Sequence, residues 1–142
     1  DAEALAGRGF EVVAFDISHT AIEWCKRRFP DSRVNYVAAD LFAPPQDWAF
    51  DFVLEIYTIQ SLLLELRERA IQAVAGLVAP GGMLLAIGRL AGDLDERTHM
   101  PWPLTRAELD GFTRAGLRQA HFEAYFDDED PPKQRFCAEY RR

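Results

Sequence analysis

Apolar residues along this chain fall into short continuous runs separated by polar segments with a helical period, and that alternation sets the expected order of elements. Phe10 to Phe15 is mostly apolar without a period of two, which suits a strand buried on both faces of a parallel sheet, and Asp16 closes it. Before it, Asp1 to Ala6 reads as the tail of a helix stopped by Gly7-Arg8-Gly9. Ser18 or Thr20 can cap the next helix, with Glu23 three residues after Thr20 as in a capping box and Ile22, Cys25 and Phe29 on the apolar side. Pro30 and Asp31 end that helix. Arg33 to Ala39, closed by Asp40, and Phe50 to Ile56, carrying Asp51 and Glu55, read as two further strands around the proline-containing loop Leu41 to Ala49.

From Leu63 to Val78 the apolar positions Leu63, Leu66, Ala70, Ile71, Val74, Leu77 and Val78 fit one helical face, leaving Glu65, Arg67, Glu68, Arg69 and Gln72 for solvent. Pro80-Gly81-Gly82 breaks the pattern and leads into Met83 to Gly88, another apolar strand. Thr105 and Glu108 form a second capping box, opening a helix with Leu109 and Phe112 inside and Gly116 at its end. Leu117 to Phe126 and Gln134 to Tyr140 then read as an antiparallel hairpin, joined by the acidic, proline-bearing run Asp127 to Pro132, a solvated turn. Strands alternating with helices predict an α/β fold with a Rossmann-like, mostly parallel sheet, helices on both faces and an antiparallel hairpin at the end. No repeat or linker divides residues 1–142, so a single domain is expected.

Composition narrows the partners. The chain carries 16 basic and 23 acidic residues, a net charge of -7, which opposes long-range attraction to nucleic acid or an anionic membrane. Its hydrophobic content of 49% supplies a sizeable core, and no apolar run is long enough to span a bilayer. Cys25 and Cys137 stand far apart with no Cys or His at ligand spacing, so no metal site or disulfide framework is expected and the thiols read as buried and reduced in a cytoplasm.

The chemistry sits at strand ends. In an open parallel sheet the ligand crevice lies beyond the carboxyl ends of the strands, where Asp16, Asp40 and Glu55 fall, and an acid after the second strand of a nucleotide-binding sheet accepts bonds from ribose hydroxyls. The same acids can instead cap the turns that follow them. The glycine-rich loop that normally precedes such an acid by about 20 residues has no counterpart in the sequence, and Gly7-Arg8-Gly9 cannot replace it because it precedes a strand. His19, His99 and His121 are the neutral-pH proton carriers, with His19 placed on a solvated first turn and His121 on an outer strand face. His99 lies with Met100 and Trp102 in the long segment Leu90 to Leu104, which reads as a lid or binding loop.

The order Val12-Val13-Ala14-Phe15-Asp16-Ile17-Ser18, Ala38-Ala39-Asp40-Leu41, Phe50-Asp51-Phe52-Val53-Leu54-Glu55 and Leu77-Val78-Ala79-Pro80-Gly81-Gly82-Met83-Leu84 resembles the class I S-adenosylmethionine-dependent methyltransferases. The resemblance covers nearly the whole chain from Phe10 onward. It implies that Asp16, followed by Ile17, meets the ribose, that Asp40 and the amide of Leu41 meet the adenine, and that Glu55 completes the cofactor set. S-adenosylmethionine is then the cofactor, S-adenosylhomocysteine the product, and Tyr57, His99 and Trp102 are candidate walls of an acceptor pocket. Pro101-Trp102-Pro103-Leu104-Thr105-Arg106-Ala107-Glu108-Leu109 and Glu129-Asp130-Pro131-Pro132 are similar to bacterial small-molecule methyltransferases near the thiopurine and tellurite-resistance groups, which implies a small acceptor. Because the family's first strand and its glycine loop have no counterpart, the chain reads as N-terminally truncated, with the two flanking strands expected either to close up directly or to borrow a strand from another copy by self-association across the gap. A non-catalytic interaction module that keeps the sheet is the alternative, and a NAD-dependent oxidoreductase is disfavoured by the hairpin and by Ala39-Asp40-Leu41.

Overall fold

The computed structural model describes residues 1–92 and 100–142, which form two compact units, residues 1–46 and 47–142. In the first, helix α1 (Ala2–Gly7) precedes strand β1 (Val13–Asp16), helix α2 (His19–Arg28) and strand β2 (Asn35–Ala38). The strands pair in parallel, with Asp16 opposite Ala38. Both are shorter than the apolar runs that predict them: Phe10 is exposed, and the ladder begins only where the chain settles beside its partner. Ser18, rather than Thr20, caps α2, its Oγ accepting a bond from the Ala21 amide at 3.2 Å. Glu3 ties α1 to the β2 side, since its Oε1 accepts from Ser32 Oγ and Tyr36 Oη, each at 2.6 Å. Those donors hold the Glu3 carboxyl below its usual range, while burial and then the bond to Glu3 push the Tyr36 hydroxyl up to about 12.

The second unit contains strand β3 (Phe50–Ile56), helix α3 (Arg67–Gly76), strand β4 (Val78–Arg89), helix α4 (Arg106–Arg114) and strands β5 (Arg118–Phe126) and β6 (Gln134–Arg141). Its sheet has the order β3-β4-β6-β5. The β3 and β4 pair is parallel, and β6 runs antiparallel between β4 and β5, so the closing hairpin is present as expected. Among the described residues, β1 pairs only with β2 and β3 only with β4, so each keeps one unpaired edge.

Leu84, Ala86, Phe136, Ala138 and Tyr140 turn to the sheet face covered by helices. The Phe112 ring of α4 lies 5.0 Å from the Tyr140 ring, and Tyr140 Oη donates to the Leu109 carbonyl at 3.2 Å. Ile71, Val74 and Ala75 of α3 complete this core. The Thr105–Glu108 capping box forms as expected, with Thr105 Oγ1 accepting from the Glu108 amide and Glu108 Oε2 accepting from the Thr105 amide.

The predicted helix Leu63 to Val78 is corrected at both ends. Two single 3-10 turns, Ile59–Ser61 and Leu64–Leu66, precede α3, and Leu63 is exposed instead of lining its apolar face. At the other end the strand begins at Val78. Pro80-Gly81-Gly82 acts inside β4 as a looped irregularity, because Phe50 faces Val78 while Phe52 already faces Met83. Gly82 is required there: a Cβ would stand 2.9 Å from the carbonyl oxygens of Ala79 and Phe50. Arg67, assigned to solvent by the pattern, is only 1% exposed for a reason given below.

Candidate functional site

In the first unit the parallel pairing brings four predicted site residues to one edge. Asp16 ends β1, Ile17 follows it, and Asp40 and Leu41 lie just past β2 on the neighbouring strand; the Ala39 amide donates to the Asp16 carbonyl at 3.0 Å. Asp16 is exposed, and its Oδ1 accepts from the Ser18 amide at 2.7 Å, which fixes the turn into α2. Its Oδ2 makes no hydrogen bond among the described residues. Asp40 is half-buried and repeats the device, with Oδ1 accepting from the Phe42 amide at 2.8 Å. Each acid therefore caps its own turn through one oxygen, and the two readings of these residues coexist. Ile17 stands 69% exposed beside them, a large apolar surface suited to a flat ring.

Glu55 differs. Its register partner Ala86 faces the helices, so Glu55 points into the core of the second unit, where it is 4% exposed. Oε1 accepts from the Ile59 amide at 3.1 Å, and the nearby amide of Thr58 adds its pull on the carboxyl. Burial pushes its pKa up to about 7 against the lowering pull of those two amides. Glu55 thus organises the turn that leaves β3. Tyr57, next in that turn, adopts a left-handed φ of 65°, a conformation costly for a bulky side chain and characteristic of sites where geometry is over-determined. Its ring lies 5.7 Å from the guanidinium of Arg135.

A polar knot closes the carboxyl end of β3 and β4. Buried Gln60 donates through Nε2 to the carbonyls of Arg89 and Trp102, at 3.1 and 3.0 Å, and accepts through Oε1 from the Arg89 amide at 2.8 Å. The Trp102 amide returns a bond to the Gln60 carbonyl at 3.0 Å. Gly88 makes room, since a Cβ there would lie 1.9 Å from Gln60 Oε1. Arg67 reaches the same segment, donating to the carbonyls of Trp102 at 2.6 Å and Pro103 at 3.1 Å and pairing with Glu108 at 3.1 Å. Three acceptors in one fork explain why this arginine is buried rather than solvated. Leu104 pairs in parallel with Leu90, so the predicted loop Leu90 to Leu104 is anchored at its far end. His99 lies outside the described residues.

The acidic run is corrected at its first residue. Asp127 is half-buried, its Oδ1 accepting from the Lys133 amide at 2.7 Å and its Oδ2 held by Arg135 Nε at 2.5 Å, while Arg135 also pairs with Glu129 at 2.5 Å. His19 and His121 are both exposed, as placed by the sequence. Cys25 and Cys137 are free but half-buried rather than buried. Among the described residues no group of His, Cys, Asp and Glu could hold a metal ion, and no helix is long and apolar enough to cross a membrane. Sequence reasoning did not single out Gln60, Arg89 or Arg135, and it assigned Arg67 to solvent; no spacing rule distinguishes a buried arginine from a solvated one.

Parallel strand pairs with acids at their carboxyl ends, one pair continued by an antiparallel hairpin, are features of the S-adenosylmethionine-dependent methyltransferase fold. The family model for the methyltransferase domain matches residues 1–86, and the chain belongs to that family. Solved structures agree on the fold. An S-adenosylmethionine-dependent methyltransferase from Methanosarcina mazei superposes with a TM-score of 0.82 at 15% identity, covering 98% of this chain and 85% of that one. The 1,6-didemethyltoxoflavin-N1-methyltransferase of Burkholderia thailandensis, solved with 1,6-didemethyltoxoflavin and S-adenosylhomocysteine, gives 0.75 at 15% identity over 98% of this chain and 64% of its own. TehB from Haemophilus influenzae gives 0.71 at 13% identity, covering 94% of this chain and half, 50%, of that one. No curated protein matches by sequence.

Proposed function

We propose that the chain takes part in transfer of a methyl group from S-adenosylmethionine to a small-molecule acceptor, with Asp16 and Asp40 as the cofactor-holding acids. One observation carries the reading: Asp16, Ile17, Asp40 and Leu41 lie side by side at the carboxyl edge of a parallel strand pair, and Asp16 keeps one carboxylate oxygen uncommitted among the described residues. That oxygen meets a ribose hydroxyl, Asp40 meets the adenine amino group, and Ile17 with Leu41 flanks the ring. The sulfonium already activates the methyl group, so the protein supplies position and an in-line approach rather than acid-base work. The exposed His19 and His121 have no part in that step. Glu55 acts through the turn it caps and through Tyr57, not by touching the cofactor. The small ligand of the Burkholderia protein and the anionic balance of this chain favour a small acceptor over a nucleic acid. The unpaired edges of β1 and β3 favour self-association by strand pairing, and the free thiols suit a reducing cytoplasm.

Calorimetric titration with S-adenosylhomocysteine tests the assignment. The native chain is expected to release heat on binding, and Asp16→Asn to weaken affinity about tenfold or more, as loss of a charged hydrogen-bond acceptor costs about 1.5–3 kcal/mol. Absence of heat in the native chain would establish the non-catalytic alternative.

A further inference from the structure

Helix α2 turns an outward face to water. Ile22 is buried and Cys25 half-buried on its inner side, while Thr20, Trp24, Arg27 and Arg28 are all exposed, and their spacing of three and four residues puts them on one side of the helix. Trp24 is 66% exposed on this otherwise polar face. Cations in the last turn complement the helix dipole, which accounts for Arg27 and Arg28 but not for a tryptophan left in water. Lys26 pairs with Glu23 at 3.7 Å and the Arg28 guanidinium lies 5.3 Å from the Phe29 ring. Among the described residues, neither Arg27 nor Arg28 has a carboxylate partner.

The loop between β5 and β6 has the opposite charge and the same kind of apolar neighbour. The Asp127 amide donates to the Lys133 carbonyl at 3.0 Å and the Lys133 amide to Asp127 Oδ1 at 2.7 Å, which closes the base of the loop and leaves residues 128–132 to project from the hairpin. Arg135 neutralises Asp127 and Glu129. Asp128 and Asp130 are exposed and have no cation against them among the described residues. Phe126, which leads into the loop, is 68% exposed, and Tyr125 before it is exposed as well.

We propose that the outward face of α2 docks the acidic β5–β6 loop of a second copy of this chain, head to tail. Arg27 and Arg28 meet Asp128 and Asp130, and Trp24 packs against Phe126 at the foot of the loop. Charge complementarity selects this occupant. A nucleic acid or an anionic membrane also offers negative charge, but along its whole extent it repels a chain of net charge -7, and it brings no apolar partner on the scale of one side chain. A loop touches α2 at one place and brings its own aromatic residue. Because the two surfaces differ, the contact is heterologous and leaves one of each free at the ends, so copies add into short open chains rather than closing as a dimer. Few residues take part on each side, against about 20–30 in a stable complex, and the association is therefore weak and sensitive to salt. Strand pairing at the edges of β1 and β3 differs in kind, since backbone hydrogen bonds are indifferent to these charges.

Sedimentation velocity of the full chain over a range of concentrations, in about 0.05 M and about 0.5 M salt, tests the contact. The native chain is expected to sediment faster as its concentration rises at low salt and to lose most of that dependence at high salt. Arg27→Glu combined with Arg28→Glu, and separately Asp128→Lys combined with Asp130→Lys, are each expected to weaken association about tenfold or more. An equimolar mixture of the two reversed variants is expected to regain the native behaviour, because each then offers the charge that the other needs. A native chain that stays monomeric at low salt overturns the proposal, as does a mixture that recovers nothing. Association that survives both high salt and the two reversals overturns it in favour of the strand edges. Binding of a monomeric native chain to vesicles of equimolar phosphatidylserine and phosphatidylcholine, lost in the Arg27→Glu, Arg28→Glu variant, overturns it in favour of a membrane surface. Should a reversed variant fail to fold, Trp24→Ser carries the test: association is expected to fall several-fold, and an undiminished association overturns the proposal.

Discussion

The carboxyl edge of β1 and β2 and the carboxyl edge of β3 and β4 hold similar residue types and employ them in opposite ways. At the first edge, Asp16 and Asp40 each engage one nearby amide and otherwise face outward. At the second, Glu55, Gln60 and Arg67 are buried, and their hydrogen bonds fasten a turn, the end of a strand and the Trp102–Pro103 backbone. An acid whose second oxygen faces outward is available to a ligand. A buried polar group whose bonds go to backbone serves as a fastening, and removing it exposes nothing useful while orphaning its partners. Charge type alone does not separate the two cases; burial and the identity of the bonded atoms do.

Variants at the second edge should therefore disturb folding, and those at the first should disturb binding alone. The largest effect is expected from Arg67→Ala, which leaves the carbonyls of Trp102 and Pro103 and the carboxylate of Glu108 without their cation. A loss of about 3–5 kcal/mol in a denaturant titration is the expected result. A loss under about 0.5 kcal/mol would erase the contrast, since that is the range of an ordinary surface change. Next comes Glu55→Gln, whose effect depends on pH. The Glu55 carboxyl has its pKa raised from 4.5 to about 7 in the folded state. The folded protein thus holds the proton more tightly, and native stability falls as pH rises from about 4.5 to about 7, staying low above that. Glutamine cannot ionise, so its advantage over the native chain grows across the same window to on the order of 1–3 kcal/mol, readable from thermal midpoints at pH 5 and 8. A constant difference between the two pH values would show that Glu55 ionises freely. The smallest effect belongs to Thr105→Ala, which removes the α4 cap and should cost about 1 kcal/mol by the same titration. Against all three, Asp16→Asn should leave the unfolding midpoint in place while weakening S-adenosylhomocysteine binding, because an asparagine oxygen can still accept from the Ser18 amide.

Local rules reached the elements whose signals are local. The hairpin of β5 and β6, the Thr105–Glu108 capping box and the strand Phe50 to Ile56 all follow from residues close in sequence, as does the clustering of Asp16 and Asp40 once a parallel pairing is assumed. What escaped was set by distant partners. Arg67 has the periodicity of a solvated position, and only the carbonyls of Trp102 and Pro103, some 35 residues on, make its burial favourable. Pro80-Gly81-Gly82 reads as a helix stop because its residue types break every regular element; the carbonyls of Ala79 and Phe50 packed against Gly82 turn it into an irregularity within a strand. Gln60 gave no signal, since a glutamine between apolar residues looks the same whether it is wet or bonded three times.

That single glutamine has a dynamic consequence. Its side chain closes three bonds on Arg89 and Trp102, and its carbonyl takes the Trp102 amide, so the exit of β4 cannot open without releasing the Trp102 segment and the 3-10 turn that carries Gln60. The amides of Arg89 and Trp102 therefore belong to one cooperative opening unit, exchanging their hydrogens together in spite of the 12 residues between them in the sequence. Motion at this corner of the molecule is all-or-none, which makes it a latch rather than a flexible rim.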